Sequence, residues 1–460
     1  MISIMLQIYN TLSRSVEEFK PINPLHVSIY SCGPTVYDYQ HIGHMRRYVG
    51  DDILVRVIRA NGFDVKHVMN ITDVGHLTSD SDTGEDKMEK GAKKFGMSVW
   101  DIAKKFEKQF FDSSDLLNIK RPNVVIHATD AIQDQVDLIQ ILEEKGFTYK
   151  TSDGIYFDTS KFPRYFELSH QNPDELKAGA RVDMIEGKKN ITDFALWKFS
   201  SKGEKRQMEW DSPWGIGFPG WHIECSAMSM KNLGPTFDIH TGGIDHITIH
   251  HTNEIAQSQA ASNKQFVKYW VHHNFLQVNG QKMSKSLGNF YTVEDIQKKG
   301  FDPLALRYLY LQTHYRQEMN FTFKSLDGAQ NALKHLRSII SEWDEPKIGC
   351  AEFEGRFVNA VNDDVNMPEA LAIAWELVKS DYPSKAKAES LYKMDKILGL
   401  QLNRHEEIKV PEDVQKLIDE REGLRKQKRF HLSDQIRHKI RKSGYDVIDE
   451  KGEKTKIVRI

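Results

Sequence analysis

An apolar run, Val27-Ser28-Ile29-Tyr30, a turn signal, Cys32-Gly33-Pro34, and a helix-like stretch from Met45 to Arg59 lead into a second apolar run, Val65-Lys66-His67-Val68-Met69-Asn70-Ile71. Strand, helix and strand in that order leave little choice of architecture. A parallel strand pair needs a crossover helix, so a βαβ unit and a parallel sheet are expected. Between turn and helix sits His41-Ile42-Gly43-His44. That placement aims helix N-terminal amides and two imidazoles past the strand end, where phosphate oxygens are the favoured ligand. Gly43 lacks a side chain, so a base or ribose can approach the backbone. Far downstream, Lys282-Met283-Ser284-Lys285-Ser286 offers two mobile point charges able to follow a phosphate through a pentavalent transition state. Singly, the strings also read as helix-start histidines and a solvated basic loop. Together, in this order, they favour nucleotide chemistry.

At 460 residues the chain exceeds one compact core, and roughly three domains are expected. Charged residues make up 28% and hydrophobic residues 39%, which excludes a disordered or membrane-embedded chain. No apolar run approaches the roughly 18 residues of a membrane span, and the N-terminus lacks a secretory pattern. With only three cysteines, a disulfide framework is excluded and a reducing, cytoplasmic setting is expected. The formal net charge of −2 argues against a protein that coats nucleic acid over its whole surface. Locally the balance differs: Arg421 to Lys442 holds nine Lys/Arg against Glu422 and Asp434.

The expected fold is α/β. A Rossmann-like parallel-sheet domain spans 1–300, with an α/β insertion at about 121–204 and the lysine loop at 282–286. Thr78 to Lys94 reads as a polar loop leading into helix. Residues 301–323 connect to a helical bundle at 324–404, and a linker near Asn403–Pro411 precedes a small basic domain at 405–460.

Cys32 ends the first strand, and Cys225 lies in Gly220-Trp221-His222-Ile223-Glu224-Cys225. His250 and Glu254 are spaced i, i+4 and share a helix face. Two thiolates, an imidazole and a carboxylate suit Zn²⁺ in tetrahedral geometry. The long spacing matches no zinc-finger pattern, and two buried free cysteines beside a surface helix is the plainer reading. The histidine also stays open: His246 and His250 are i, i+4, and His251 is i, i+3 from Glu254.

These motifs, with Asn70-Ile71-Thr72-Asp73-Val74-Gly75-His76, Ser212-Pro213-Trp214-Gly215, Gly220 to Met228 and His250-His251-Thr252-Asn253-Glu254, closely resemble the cysteinyl-tRNA synthetase family of class I aminoacyl-tRNA synthetases. The resemblance covers nearly the whole chain. It implies a Rossmann-like catalytic domain, L-cysteine, tRNA(Cys) and ATP with Mg²⁺ as substrates, and one Zn²⁺ per chain on Cys32, Cys225, His250 and Glu254. In that family the substrate thiolate meets the zinc directly, and Glu254 is then the candidate for the weak ligand. His41, His44, Lys282 and Lys285 take catalytic roles by resemblance, with Gly43 and Lys285 at the ATP. Thr72 and Trp221 match amino-acid pocket positions. His240 stands beside the zinc, and Asp245 is the acceptor proposed for the substrate ammonium. Residues 301–323 become a stem contact, the bundle a tRNA-binding element, and 405–460 an anticodon-binding domain. There Arg425, Lys426, Lys428, Arg429, Arg437 and Arg441 would meet phosphates, with Phe430 and Tyr445 stacking bases. A monomer is expected.

The chain departs from the family at Gly217-Phe218-Pro219-Gly220, at Ile249 to Glu254, and in a tail reading Gly452-Glu453-Lys454-Thr455-Lys456-Ile457 where relatives carry a Gly-Thr-Thr-Trp-like strand. None removes a ligand. Two rivals stand beside this reading: a cysteine:amino-sugar ligase of thiol synthesis, against which the basic tail argues, and a non-catalytic RNA-binding paralogue, against which the intact motifs argue.

Overall fold

The first βαβ unit forms as the pattern requires, but its helix starts a turn earlier. After a hairpin of β1 (Gln7–Asn10) and β2 (Ser15–Glu18), β3 (His26–Ser31) leads to α1 (Ile42–Ala60) and then β4 (Asp64–Ile71). His41 is extended and caps α1, its Nδ1 accepting the His44 N–H at 3.1 Å. Imidazole lies outside the usual Ser, Thr, Asp and Asn capping set, so the pattern alone set the start at Met45. The computed structural model describes residues 5–76, 86–172, 187–200, 206–403, 410–449 and 455–459. Residues 78–85 of the expected polar loop, 173–186 and 201–204 of the insertion, most of the Asn403–Pro411 linker and Gly452-Glu453-Lys454 lie outside them.

From β4 the chain passes through α2 (Lys87–Phe95) and α3 (Val99–Leu116) to β5 (Val124–His127), which pairs parallel with β4. Residues 124–127 therefore belong to the main sheet, and not to the segment expected to begin at 121. Next come α4 (Ile132–Glu144), β6 (Thr148–Lys150), β7 (Gly154–Phe157), β8 (Phe194–Phe199) and β9 (Gly217–Pro219). The four strands form one antiparallel sheet, whose last member lies beyond residue 204. β8 is buried along Phe194–Lys198, so its outer edge needs a partner, and Gly217–Pro219 provides it.

The chain then returns to the main sheet through α5 (Trp221–Leu233), β10 (Phe237–Gly243), α6 (His250–Ser262) and β11 (Val267–His273). The main sheet is parallel throughout, in the order β11-β10-β3-β4-β5. Neighbours lie on both sides of β3, so the strand order reverses between β3 and β10. A crevice at the carboxyl ends of such strands is where α/β sheets bind ligands. A smaller sheet of β12 (Leu276–Val278), β13 (Gln281–Lys282) and, after α7 (Val293–Lys298) and α8 (Pro303–Leu311), β14 (Met319–Phe321) carries the lysine loop. Helices α9 (Phe323–Ser341), α10 (Ala351–Asn362), α11 (Met367–Lys379) and α12 (Ser384–Leu398) follow, and their buried residues are continuous with the core around α1. Arg307 on α8 is fully buried and binds Asp52 of α1 and the Leu398 carbonyl of α12, tying bundle to sheet.

Residues Met1–Leu402 form one compact unit and Asn403–Ile460 a second. In the second, α13 (Glu412–Lys426), α14 (Phe430–Lys442) and the hairpin of β15 (Tyr445–Asp449) with β16 (Thr455–Arg459) enclose Val414, Ile418, Ile436, Ile440 and Val447. Here the base-stacking expectation for Tyr445 fails: the side chain is part of this core, whereas Phe430 is exposed. Arg437 and Arg441 are both paired with Asp446. Among the described residues no helix is long and apolar enough to cross a membrane.

His67 on β4 is buried with Nε2 2.9 Å from Ser31 Oγ, and burial pushes its pKa down to about 4. An unfolded histidine titrates near 6.5. Between those values the unfolded chain binds a proton that the fold refuses, so stability present above pH about 6.5 is lost as the pH falls. The thermal midpoint should decline from pH about 6.5 towards 4 in unfolding scans. In His67→Asn that decline should be shallower.

Candidate active site

Four potential ligands converge where the strand order reverses. Cys32 follows β3, Cys225 lies one turn into α5, and His250 and Glu254 share the inner face of α6. All four are buried, and their donor atoms lie within 4.8 Å of one another. A tetrahedral ion with bonds of about 2.0–2.3 Å spaces its ligand atoms by roughly 3.3–3.8 Å, a scale compatible with this grouping. A second set, Cys32, His240, His251 and Glu254, also has its donor atoms within 4.8 Å of one another. The first set alone brings both thiols together, which suits a soft cation. In the second, His240 Nε2 is engaged by Glu254 Oε2 at 3.0 Å, while His251 has Nδ1 on His272 Nε2 at 2.7 Å and Nε2 3.4 Å from Cys32 Sγ. Glu254 Oε1, by contrast, is buried without a hydrogen-bond partner and 3.1 Å from His250 Nε2. An orphaned carboxylate oxygen beside two buried thiols and an imidazole fits a soft divalent cation.

The surroundings orient these donors as metal sites require. His250 turns its other nitrogen to His222, Nδ1 to Nδ1 at 2.9 Å, and Arg47 from α1 holds both the Cys32 carbonyl and Asp51. Burial raises the Cys32 thiol above its usual range, and the bond from Cys32 together with burial raises Cys225. Burial opposes the Glu254 charge, but His240 and His250 outweigh it and hold the carboxyl at about 2. Gly242, the penultimate residue of β10, lies against this cluster: a Cβ there would lie 2.5 Å from the His251 ring.

Beside the cysteines, Thr72 closes β4 and is buried. It receives Asn70 Nδ2 at 3.0 Å and donates to Glu224 Oε2 at 3.2 Å, while His76 Nε2 lies 2.6 Å from Glu224 Oε1. Asn70 Oδ1 in turn accepts the Gly33 N–H at 2.7 Å, where a Cβ would strike the Asn70 carbonyl. Trp221 opens α5 with its ring centroid 4.5 Å from that of His250. His240 is fully buried and stacked on Trp270 at 4.7 Å. Asp245 is not brought to this group: it is exposed in the short turn Ile244–His246, with its carboxylate folded against Gly243.

At the other end of the crevice, the His41 and His44 rings stack at 3.5 Å, and His41 meets the edge of Phe290 at 5.2 Å. Burial, aided by the nearby Lys285 charge, lowers His41 to about 4, so at neutral pH it is an uncharged hydrogen-bonding group. Lys285 pairs with Asp38, three residues before His41, and its Nζ lies 4.8 Å from the Phe290 ring centroid. Lys94 of α2 shares the same carboxylate oxygen at 3.3 Å. Burial opposes the Asp38 charge, yet the lysines and the Tyr39 N–H hold that carboxyl below its usual range. Lys282 is exposed on β13 opposite Gln277. Sequence reasoning passed over Asp38, Arg47, His76 and Glu224. Glu224 stands inside a quoted motif next to Cys225, but no spacing rule announces that it binds residues far upstream.

A parallel sheet with an imidazole pair at one helix N-terminus and a lysine loop approaching it is a class I synthetase arrangement, and the family model for the tRNA synthetases class I (C) catalytic domain matches residues 18–331. The fold is shared with a Mycobacterium tuberculosis methionyl-tRNA synthetase solved with methionyl-adenylate, at a TM-score of 0.57 and 16% identity over 82% of this chain and 90% of that one. Cysteine–tRNA ligase 1 of Burkholderia lata is 49% identical over 96% of this chain and 95% of the relative. The cysteine–tRNA ligase of Treponema denticola is 43% identical over 98% and 99%. The chain belongs to the cysteine–tRNA ligase family, and is a ligase.

Glu224→Gln removes the charge and one of the two acceptor oxygens, so His76 and Thr72 can no longer both be bound by a carboxylate. A buried charged hydrogen bond of this kind is worth about 1.5–3 kcal/mol. A thermal midpoint within a degree of wild type would contradict that role.

Proposed function

We propose that this enzyme activates L-cysteine with ATP, forming cysteinyl-adenylate and pyrophosphate, and then transfers the cysteinyl group to the 3′-terminal adenosine of tRNA(Cys). The observation that carries this reading is the buried Cys32, Cys225, His250 and Glu254 quartet, set at the same crevice as the capped start of α1. Its donor set fits one Zn²⁺. Bound there, Zn²⁺ would supply a soft Lewis acid that takes a substrate thiolate in strong preference to serine's hydroxyl, where a pocket alone would discriminate by about 1–3 kcal/mol per small group.

The chain's own residues position the rest. Thr72 and Trp221 wall the space beside the quartet, with Glu224 and His240 fixing their surroundings. In the first step the cysteine carboxylate attacks the α-phosphorus and the bond to pyrophosphate breaks. Neutral His41, His44 and the backbone at Gly43 face the phosphates, with ATP carrying its own Mg²⁺. Lys285 exchanges Asp38 for the pyrophosphate oxygens, and Lys282 adds a second cation as charge develops there. In the second step the terminal adenosine hydroxyl attacks the anhydride carbonyl and AMP leaves. Exposed Phe430, the basic run Arg425 to Arg429 at the end of α13 and the basic residues of α14 support RNA contact by the second unit.

Cysteine-dependent ATP–pyrophosphate exchange tests the first step, with serine giving a signal lower by several orders of magnitude. Exchange driven equally by serine would overturn the reading. Metal analysis should find one zinc per chain. It should be lost in Cys225→Ser, and chelation should abolish cysteine-dependent exchange. Lys285→Ala should slow adenylate formation by about 100-fold while cysteine affinity stays unchanged. Offering tRNA and an amino sugar as rival acceptors separates this reading from thiol synthesis.

A further inference from the structure

Arg46 lies on α1 immediately after the imidazole pair and is buried, 5% exposed, with no carboxylate at ion-pair distance among the described residues. A buried cation without a counter-ion is costly, and burial lowers even this guanidinium to about 10. Four carbonyl oxygens offset that cost. Nη1 donates to Asn274 and Phe275, both at 2.8 Å, and Nη2 to His314 at 3.1 Å and Gln317 at 2.7 Å. Every terminal N–H of the fork is used.

The carbonyls belong to two segments with one destination. Asn274 and Phe275 enter β12, whose antiparallel partner β13 carries Lys282; His314 and Gln317 enter β14, the parallel partner of β12. Further ties run between the same segments: the Asn274 N–H donates to the Tyr315 carbonyl at 2.9 Å and the Met319 N–H to the Phe275 carbonyl at 3.0 Å. Arg46 therefore grips the root of the lysine-loop sheet from the helix whose first residues carry His41 and His44. At the far side of the loop, the Ile42 N–H donates to the Tyr291 carbonyl at 2.9 Å and Tyr310 Oη to the Ile42 carbonyl at 2.7 Å. The loop is thus anchored to α1 both before and after the lysines.

We propose that Arg46 is a positioning residue for adenylate formation, setting the register of the lysine-loop sheet against the imidazole pair. It touches no reacting atom, and it acts through Lys282 and Lys285. The proposal rests on the activation chemistry above. Lysine at this position would keep the charge, but its three donors on one centre cannot span four carbonyls in a plane.

The test uses Arg46→Lys and Arg46→Gln in the full-length, metal-loaded enzyme, with rates read well below each variant's thermal midpoint. Cysteine-dependent exchange at saturating ATP should fall by about 10- to 100-fold, the scale of a misplacement near 1 Å. Cysteine affinity should be unchanged, because β12–β14 carry no residue of the thiol quartet. Single-turnover transfer from preformed cysteinyl-adenylate to tRNA should stay within about twofold, since pyrophosphate has already gone. Trypsin should cut after Lys282 and Lys285 faster than in wild type. Activation at the wild-type rate, or equal losses in activation and transfer, would overturn the inference; so would failure of both variants to fold, which would mark Arg46 as a fold determinant only. Wild-type enzyme in the same assay separates the two levels. Without cysteine-dependent exchange in wild type both ideas fall, whereas an active wild type beside fully active variants removes this one alone.

Discussion

A parallel sheet whose strand order reverses between β3 and β10 is the constraint on which the rest depends. Helices leaving β3 and β10 must pass to opposite sides of that point, so their starts cannot fill it, and a crevice opens at the carboxyl ends of the strands. Cys32 follows β3, Thr72 follows β4, and Gly242 lies one residue before the end of β10. α1 begins there too, its first turn held by the His41 cap and by the Tyr291 carbonyl on the Ile42 N–H. The reversal of strand order thus brings the Cys32 end of β3 and the start of α1 to the same end of the sheet.

That crevice holds an unusual density of buried polar groups. His222, His240, His250, His251 and His272 are each buried, and most are tied pairwise to one another or to Glu254. Such a group is stable only if nearly every donor and acceptor is used. The exceptions are informative. Among the described residues Glu254 Oε1 and His246 Nδ1 have no hydrogen-bond partner; Glu254 belongs to the donor quartet, and the His246 ring centroid lies 5.1 Å from that of His250. The start of α1 works on the opposite principle: its charges are nearer the surface, and Lys285 is paired with Asp38. Partly exposed pairs of this kind are weak, of order 1 kcal/mol or less, so the lysine can leave its partner at little cost.

Much of this was legible before any coordinates. The βαβ order, the helical region and the parallel sheet follow from hydrophobic periodicity, because strand and helix bury different residue spacings. The start of α1 did not, since a histidine cap carries no compositional signal. The boundaries of the insertion also resisted, as β9 joins β8 across residues 200–216 and strand pairing at that distance leaves no local pattern. In the second unit a tyrosine in a basic segment reads as a base-stacking platform, yet Tyr445 is consumed by a small core that has few other large side chains.

The sequence by itself determined which chemistry is available: two cysteines, an i, i+4 histidine and glutamate, an imidazole pair between a turn and a helix, and a lysine loop. These are properties of residue type and local spacing, and short-range geometry preserves them. Only the tertiary structure decided which of them meet. Cys32 and Cys225 are far apart along the chain and adjacent in space, while Asp245, close to His250 in sequence, turns outward. Glu224, Arg47, Asp38 and Arg46 acquire partners through strand order and helix packing. Those depend on the whole sheet, so no window of sequence contains them.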